Sequence, residues 1–259
     1  MSLQLGNKYL IRELVSRDLR SRYVGSYFGF LWSIVHPLVQ LGVYTFVAFI
    51  FTRKADPNAD PWQLGAVIFC GLMPWIAFQE ALSRGATTYV ENANLIKKLR
   101  FPMPLLPLKV VLTSFVHQII GLGLFLVVLV LTGQLSVTHL PLLPVLILIQ
   151  MMMTFGACLV AASLHVFVRD TVQALNLVLT VVFWATPIVY SRSIAPTGLG
   201  RLLSFNPLTH MVEAYRWTML GGPPLSVGGL GYWTVCSIFL LGLGLLVFRR
   251  TRRELVDFI

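Results

Sequence analysis

Few side chains in this sequence could do chemistry, and their spacing does not build an active site. The chain has 10 Asp and Glu, 5 His and 3 Cys in 259 residues. Glu80 and Arg84 stand four apart, the spacing at which a helix brings opposite charges together, and they read as an interfacial salt bridge. His36, beside Pro37, and His117 have no paired carboxylate and read as packing or hydrogen-bonding residues. Asp170 follows Arg169 at a turn, where its carboxylate suits the positive end of the next helix. Cys70, Cys158 and Cys236 each lie in an apolar run and read as buried thiols. There is no Gly-x-x-x-x-Gly-Lys-Ser/Thr phosphate loop, no His-Glu-x-x-His, no Cys-x-x-Cys and no Gly-x-Ser-x-Gly. ATP hydrolysis by a phosphate loop, zinc proteolysis, dithiol redox and serine hydrolysis therefore lack their signatures. The residues point away from an enzyme and toward a channel or a transporter powered by another subunit.

The elements that would hold these residues follow from composition. Hydrophobic residues are 56% and charged residues 12% of the chain, with mean hydropathy +0.78, net charge +10 and pI ≈ 10.0. A soluble domain carries roughly 25% charged residues. The basicity is therefore not that of a nucleic-acid-binding surface, and the low hydrophobicity that marks disorder is missing. The composition predicts an all-α membrane protein. A bilayer-crossing helix needs roughly 20 mostly apolar residues, and six stretches qualify: 30–51, 64–82, 105–131, 140–168, 172–190 and 230–248. Residues 1–29 form a separate N-terminal segment, and 30–259 the spanning domain. Residues 194–224, with Asn206, Pro207, Glu213 and Arg216, are too polar for a lipid-facing span. They predict an external, re-entrant segment between spans five and six, since irregular backbone at membrane depth needs protein or water around it.

Charge sets the orientation. Of the 20 Lys and Arg, 15 fall on one side, among them Lys8, Arg12, Arg17, Arg20, Arg22, Arg84, Lys97, Lys98, Arg100 and the four arginines after Phe248. Positive charge stays cytoplasmic, so both termini are expected in the cytoplasm, with no cleavable signal peptide. In residues 3–23, Leu10, Ile11, Leu14 and Leu19 oppose Lys8, Arg12, Arg17 and Arg20, the pattern of an amphipathic helix lying at the membrane interface. In the second inner loop, 91–99 is helix-compatible and is ended by Pro102 and Pro104. Leu95, Ile96, Leu99 and Phe101 among three cations predict an exposed docking surface for a soluble partner.

These segments resemble, in order, the permease subunits of type-2 ABC exporters of polysaccharides, the family that exports O-antigen, capsule and teichoic-acid chains. Residues 14–23, 26–32 and 37–38 are similar to its interface helix and first span; 92–98, 101–102 and 106–107 to its inner loop and third span; 167–170, 184–190, 206–208 and 213–216 to its later half. The resemblance implies a homodimer served by two ATP-binding subunits, which would hold ATP and Mg, with no cofactor in this chain. It implies a lipid-linked polysaccharide as substrate, contact with membrane lipids and, in a capsule system, periplasmic partners. Glu91, Asn92, Asn94, Leu95, Ile96, Lys97, Lys98 and Arg100 would couple to the ATPase. Arg17, Arg20, Arg22 and Tyr23 would lie on the interface or gate helix where the carrier lipid arrives, and Phe28, Tyr44, Trp75, Phe78, Phe183, Trp184 and Tyr190 are candidates to line an aromatic channel. The competing expectations are a type-2 efflux permease for a drug or small lipid, and a non-transport membrane assembly factor.

Overall fold

The computed structural model describes residues 2–22, 24–55, 60–98, 102–190, 203–222 and 225–258. Among them every regular element is helical. Helix α1 spans Ser2–Ser21, and a 3-10 turn at Gly29–Leu31 leads into α2, Trp32–Ala55. Then come α3, Pro61–Glu91, α4, Ala93–Lys98, and α5, Leu105–Leu131. A 3-10 turn at Leu140–Leu142 opens α6, Leu143–Phe167, followed by α7, Thr171–Trp184, α8, Pro207–Leu220, and α9, Val227–Phe258.

Five of these helices are long and apolar enough to cross a bilayer: α2, α3, α5, α6 and α9. The expected span at 172–190 contracts to the 14 residues of α7, about 21 Å against a hydrocarbon core of about 30 Å. The cause sits at its C-terminus. Pro187 has no N–H to donate and drives Thr186 from the helical region, and the Thr186 hydroxyl turns back to the Val182 carbonyl at 2.7 Å. Asp170 occupies the N-cap of α7 as expected, but its side chain makes no capping hydrogen bond.

Other helices outrun their hydropathy. The apolar run of the second span ends near 82, yet α3 continues to Glu91. Hydropathy falls where a helix leaves the lipid, whereas the backbone ladder continues through Gln79, Glu80, Ser83 and Arg84. Its start is fixed by Asp60, whose carboxylate accepts from Trp62 N at 2.9 Å ahead of Pro61. Likewise α9 runs past 248 to Phe258 and buries Leu255.

The main core joins α3, α5, α6, α8 and α9 through Phe69, Trp75, Phe125, Met153, Tyr215 and Trp233. A smaller one at the far end of α3 holds Tyr89, Ile96, Leu106, Leu159, Phe248 and Leu255. The tightest pairing is α6 with α9. A Cβ at Gly156 would collide with the Leu240 backbone, and one at Gly244 with the Gly156 carbonyl. Lipid tails are as apolar as leucine, so close backbone approach at small residues is what drives such helices together. Cys70 and Cys158 are buried as expected, whereas Cys236 is half-buried; all three are free.

Candidate functional site

Two features stand out where polar side chains gather: a charged junction between α1 and α3, and a pair of adjoining cavities beside α2. At the junction Arg84 donates to both carboxylate oxygens of Asp18, at 2.9 and 3.2 Å. Arg22 pairs with Glu80 at 2.6 Å and lies 3.9 Å from Asp18, and the expected Glu80–Arg84 pair is present at 3.6 Å. His117 on α5 is not isolated: its Nδ1 lies 3.0 Å from Arg22 Nη1 and 2.9 Å from the Thr113 carbonyl. Arg22, the residue just past α1, lies one turn beyond Asp18, and Glu80 and Arg84 are one turn apart on α3, so two short charge ladders face each other. The basic cluster expected on α1 is thereby divided. Arg22 turns inward to Glu80 while Arg17 and Arg20 remain exposed; Tyr23 lies outside the described residues.

Above this junction a cavity of about 510 Å³ opens between α2, α3 and α5. Arg22, Glu80, His36, His117, Ser114 and Gln118 contribute its polar wall, and Trp32, Met73 and Ile76 its apolar wall. A second cavity of about 250 Å³ lies between α2, α3 and α7, and it shares Gln40 and Ile76 with the first. Tyr44, Trp75 and Phe183 line it together with Gln79 and Thr180.

Six of the seven aromatic candidates fall near this second cavity. Phe78, Trp75, Phe183 and Trp184 form a row with successive ring separations of 6.0, 5.6 and 5.3 Å. The Tyr190 hydroxyl donates to the Trp184 carbonyl at 2.8 Å, and Tyr44 faces the row from α2. Exposure separates their parts. Trp75 and Phe78 are buried and form the backing, with the Trp75 indole donating to Gln79 at 2.8 Å, whereas Trp184 is 62% exposed. Phe28 stands apart, stacked edge-on with Trp32 at 5.9 Å.

The loop expected to dock a partner is only partly an exposed surface. Glu91, Asn94 and Lys97 face outward, but Ile96 is buried against Tyr89 and Phe248, and Leu95 packs beside it. Ile96 is therefore not exposed as expected: a six-residue helix cannot hold itself in water, and α4 is held by its apolar face. Asn92 is the joint, its amide donating to the Thr88 carbonyl at 2.7 Å. Lys98 closes α4, while Leu99, Arg100 and Phe101 lie outside the described residues.

Of the segment 194–224, residues 194–202 and 223–224 lie outside the described residues. What is described, α8, is polar in sequence because its polar groups are used internally. Asn206 caps it by accepting from Leu208 N at 3.0 Å, and donates to Thr186 at 2.8 Å; Pro207 follows at the first helical position. The Arg216 guanidinium takes the carbonyls of Val67, Pro187 and Ile188 at 2.9, 2.8 and 2.5 Å. Glu213 sits 3.6 Å from His210. Tyr215 donates to Gln150 at 2.6 Å, and Gln150 is clasped to Gln118 by reciprocal amide bonds at 2.9 and 3.0 Å while also donating to the Pro74 carbonyl at 2.9 Å. Sequence reasoning passed over Gln118 and Gln150; the signal was a lone amide within each apolar span. It also passed over Asp18, the single acid amid the cations of 17–22.

An all-helical arrangement with five helices long and apolar enough to cross a bilayer and a polar-aromatic cleft between helices is the build of a membrane transport protein. The chain belongs to the ABC-2 type transporter family, whose model matches residues 9–220. It is 33% identical over 209 residues to the O-antigen export system permease protein RfbA of Myxococcus xanthus, covering 80% of this chain and 78% of that protein. It is 26% identical over 264 residues to the protein of the same name from Klebsiella pneumoniae, covering 99% and 98%. With the polysialic acid transport protein KpsM of Escherichia coli it shares 21% over 252 residues, 95% of each.

Proposed function

We propose that this chain is the membrane-spanning subunit of an ATP-driven exporter that moves a lipid-linked polysaccharide, of O-antigen or capsule type, across the cytoplasmic membrane. The observation that carries this reading is the aromatic row Trp75–Phe183–Trp184 set beside Gln40, Gln79 and Thr180, in a cleft adjoining the charged cavity. Sugar rings have apolar faces and hydroxylated edges. Aromatic rings take the faces without a fixed hydrogen-bond pattern, and amides take the edges, so successive units can slide.

In this reading two copies enclose the path, and α7 with residues 185–190 completes a sixth crossing. Both termini are cytoplasmic, and the segment containing α8 is re-entrant at the outer mouth. Each copy meets a separate ATP-hydrolysing subunit, which holds the ATP and Mg, through Glu91, Asn94, Lys97 and the rest of the inner loop. Arg17 and Arg22 flank the portal for the phosphate-bearing carrier. The test is reconstitution of the full chain with its ATPase and a fluorescent lipid-linked polymer. Alanine at Phe183 and Trp184 together should slow export about tenfold with ATPase association intact. Unchanged export, or transport of a small lipid or drug in place of the polymer, would overturn the reading.

A further inference from the structure

The apolar stripe of α1 does not close on the bundle. Ile11, Val15 and Leu19, one turn apart, face Leu112 and Val116 of α5 and Met151 of α6 across a cavity of about 530 Å³. Phe115, 1% exposed, forms its floor, and Ile119 opens its rim at 52% exposure. Such a wall offers water almost no hydrogen-bond partner, so the space suits an apolar occupant. One lip is different. Arg12, Ser16 and Arg20 follow the apolar stripe by one position at every turn, giving a cation, a hydroxyl and a cation along one edge. The two arginines are eight residues apart, about 12 Å along the axis, and their long side chains can converge on one group beside Ser16.

We propose that this wedge binds one anionic glycerophospholipid of the surrounding membrane, an acyl chain between α1 and α5–α6 and the phosphodiester at Arg12, Ser16 and Arg20. Three observations choose this occupant. Guanidinium groups match phosphate oxygens in charge and geometry. Among the described residues neither Arg12 nor Arg20 has a carboxylate partner, whereas Arg22, just past the end of α1 and facing α3, has Glu80. The wedge also lies against α5 and α6, while the aromatic cleft lies between α2, α3 and α7. Its occupant is therefore a resident lipid that seats α1, distinct from a cargo moving through the cleft.

The full chain, exchanged into nanodiscs of equal phosphatidylglycerol and phosphatidylcholine and then released into detergent, should retain one phosphatidylglycerol by native mass spectrometry. The R12Q/R20Q double variant should weaken that retention about 30-fold. Val15→Trp, which fills the wedge and leaves the charges in place, should abolish it. Phosphatidylglycerol should also raise the melting temperature of the wild-type chain and not of R12Q/R20Q, with both equal in pure phosphatidylcholine, so that misfolding of the variant is told apart from loss of the site. Equal retention of phosphatidylcholine, retention unchanged in R12Q/R20Q, displacement of the lipid by undecaprenyl phosphate, or cross-linking of a second copy through the wedge would each overturn the proposal. None of these readouts depends on export.

Discussion

Replacing Asp18 by Asn removes the carboxylate on which the α1–α3 junction turns. Asp18 is 10% exposed, accepts two bonds from Arg84 and lies 3.9 Å from Arg22. Without its charge, two guanidiniums share Glu80 alone. A hydrogen bond to a charged group contributes about 1.5–3 kcal/mol net, and Arg84 is partly solvated, which argues for the lower part of that range. A loss of about 2 kcal/mol lowers the ratio of seated to unseated α1 by about 30-fold. Amide hydrogen exchange on the full chain in nanodiscs reads this directly: amides of α1 beyond Tyr9 should exchange about 30-fold faster, with those of α5 unchanged. Exchanging the charges, Asp18→Arg with Arg84→Asp, should restore most of the protection. Unaltered exchange in the Asn variant, or a charge swap no better than the single change, would refute the reasoning.

Two further predictions concern what holds the bundle together. Gly156→Leu drives a side chain into the Leu240 backbone and should cost about 3 kcal/mol, seen as a lowered melting temperature, while Gly123→Leu, with nothing within 4 Å of its added Cβ, should be near neutral. Gln150→Leu strands the Gln118 carbonyl and the Tyr215 hydroxyl at about 1–3 kcal/mol each, so adding Gln118→Leu should cost less than the two single changes summed, by about 1 kcal/mol, in a double-mutant cycle.

The spans were legible where apolar run and helix coincide: residues 105–131 match α5 end to end. They were less so where a helix outlasts the lipid, as in α3, because a hydropathy window senses solvent and not hydrogen bonding. The α7 break was written in Pro187, but its consequence needed Arg216 and Asn206, from the other side of the 191–202 segment, to receive the carbonyls and hydroxyl left behind. Of the candidate site, Glu80–Arg84 was readable because a helix fixes that spacing. Its partners Asp18 and Arg22 were not, since tertiary packing alone brings residues 66 and 58 positions away to them. The burial of Ile96 was hidden for the opposite reason: the cations that follow it made an apolar residue of the smaller core read as exposed.

The polar groups along α3 sort by depth, and the sorting decides which contact yields first. In the apolar interior, the Val67 and Pro74 carbonyls are held by Arg216 and Gln150, and Gln150 is fully buried. Breaking the Gln150 bond leaves a donor with no water to replace the loss, so the penalty there is nearly the whole desolvation cost. At the other end Glu80 and Arg84 are 28% and 35% exposed. Water can take over their hydrogen bonds as they part, and the net cost shrinks toward that of a surface pair. A displacement reaching α3 from α4, through Asn92 and Ile96, therefore meets a rigid attachment to α6 and α8 ahead of it and an exchangeable one to α1 beside it. Of these two attachments it is the one to α1 that parts at the lower cost, and the Asp18→Asn experiment reports on that contact.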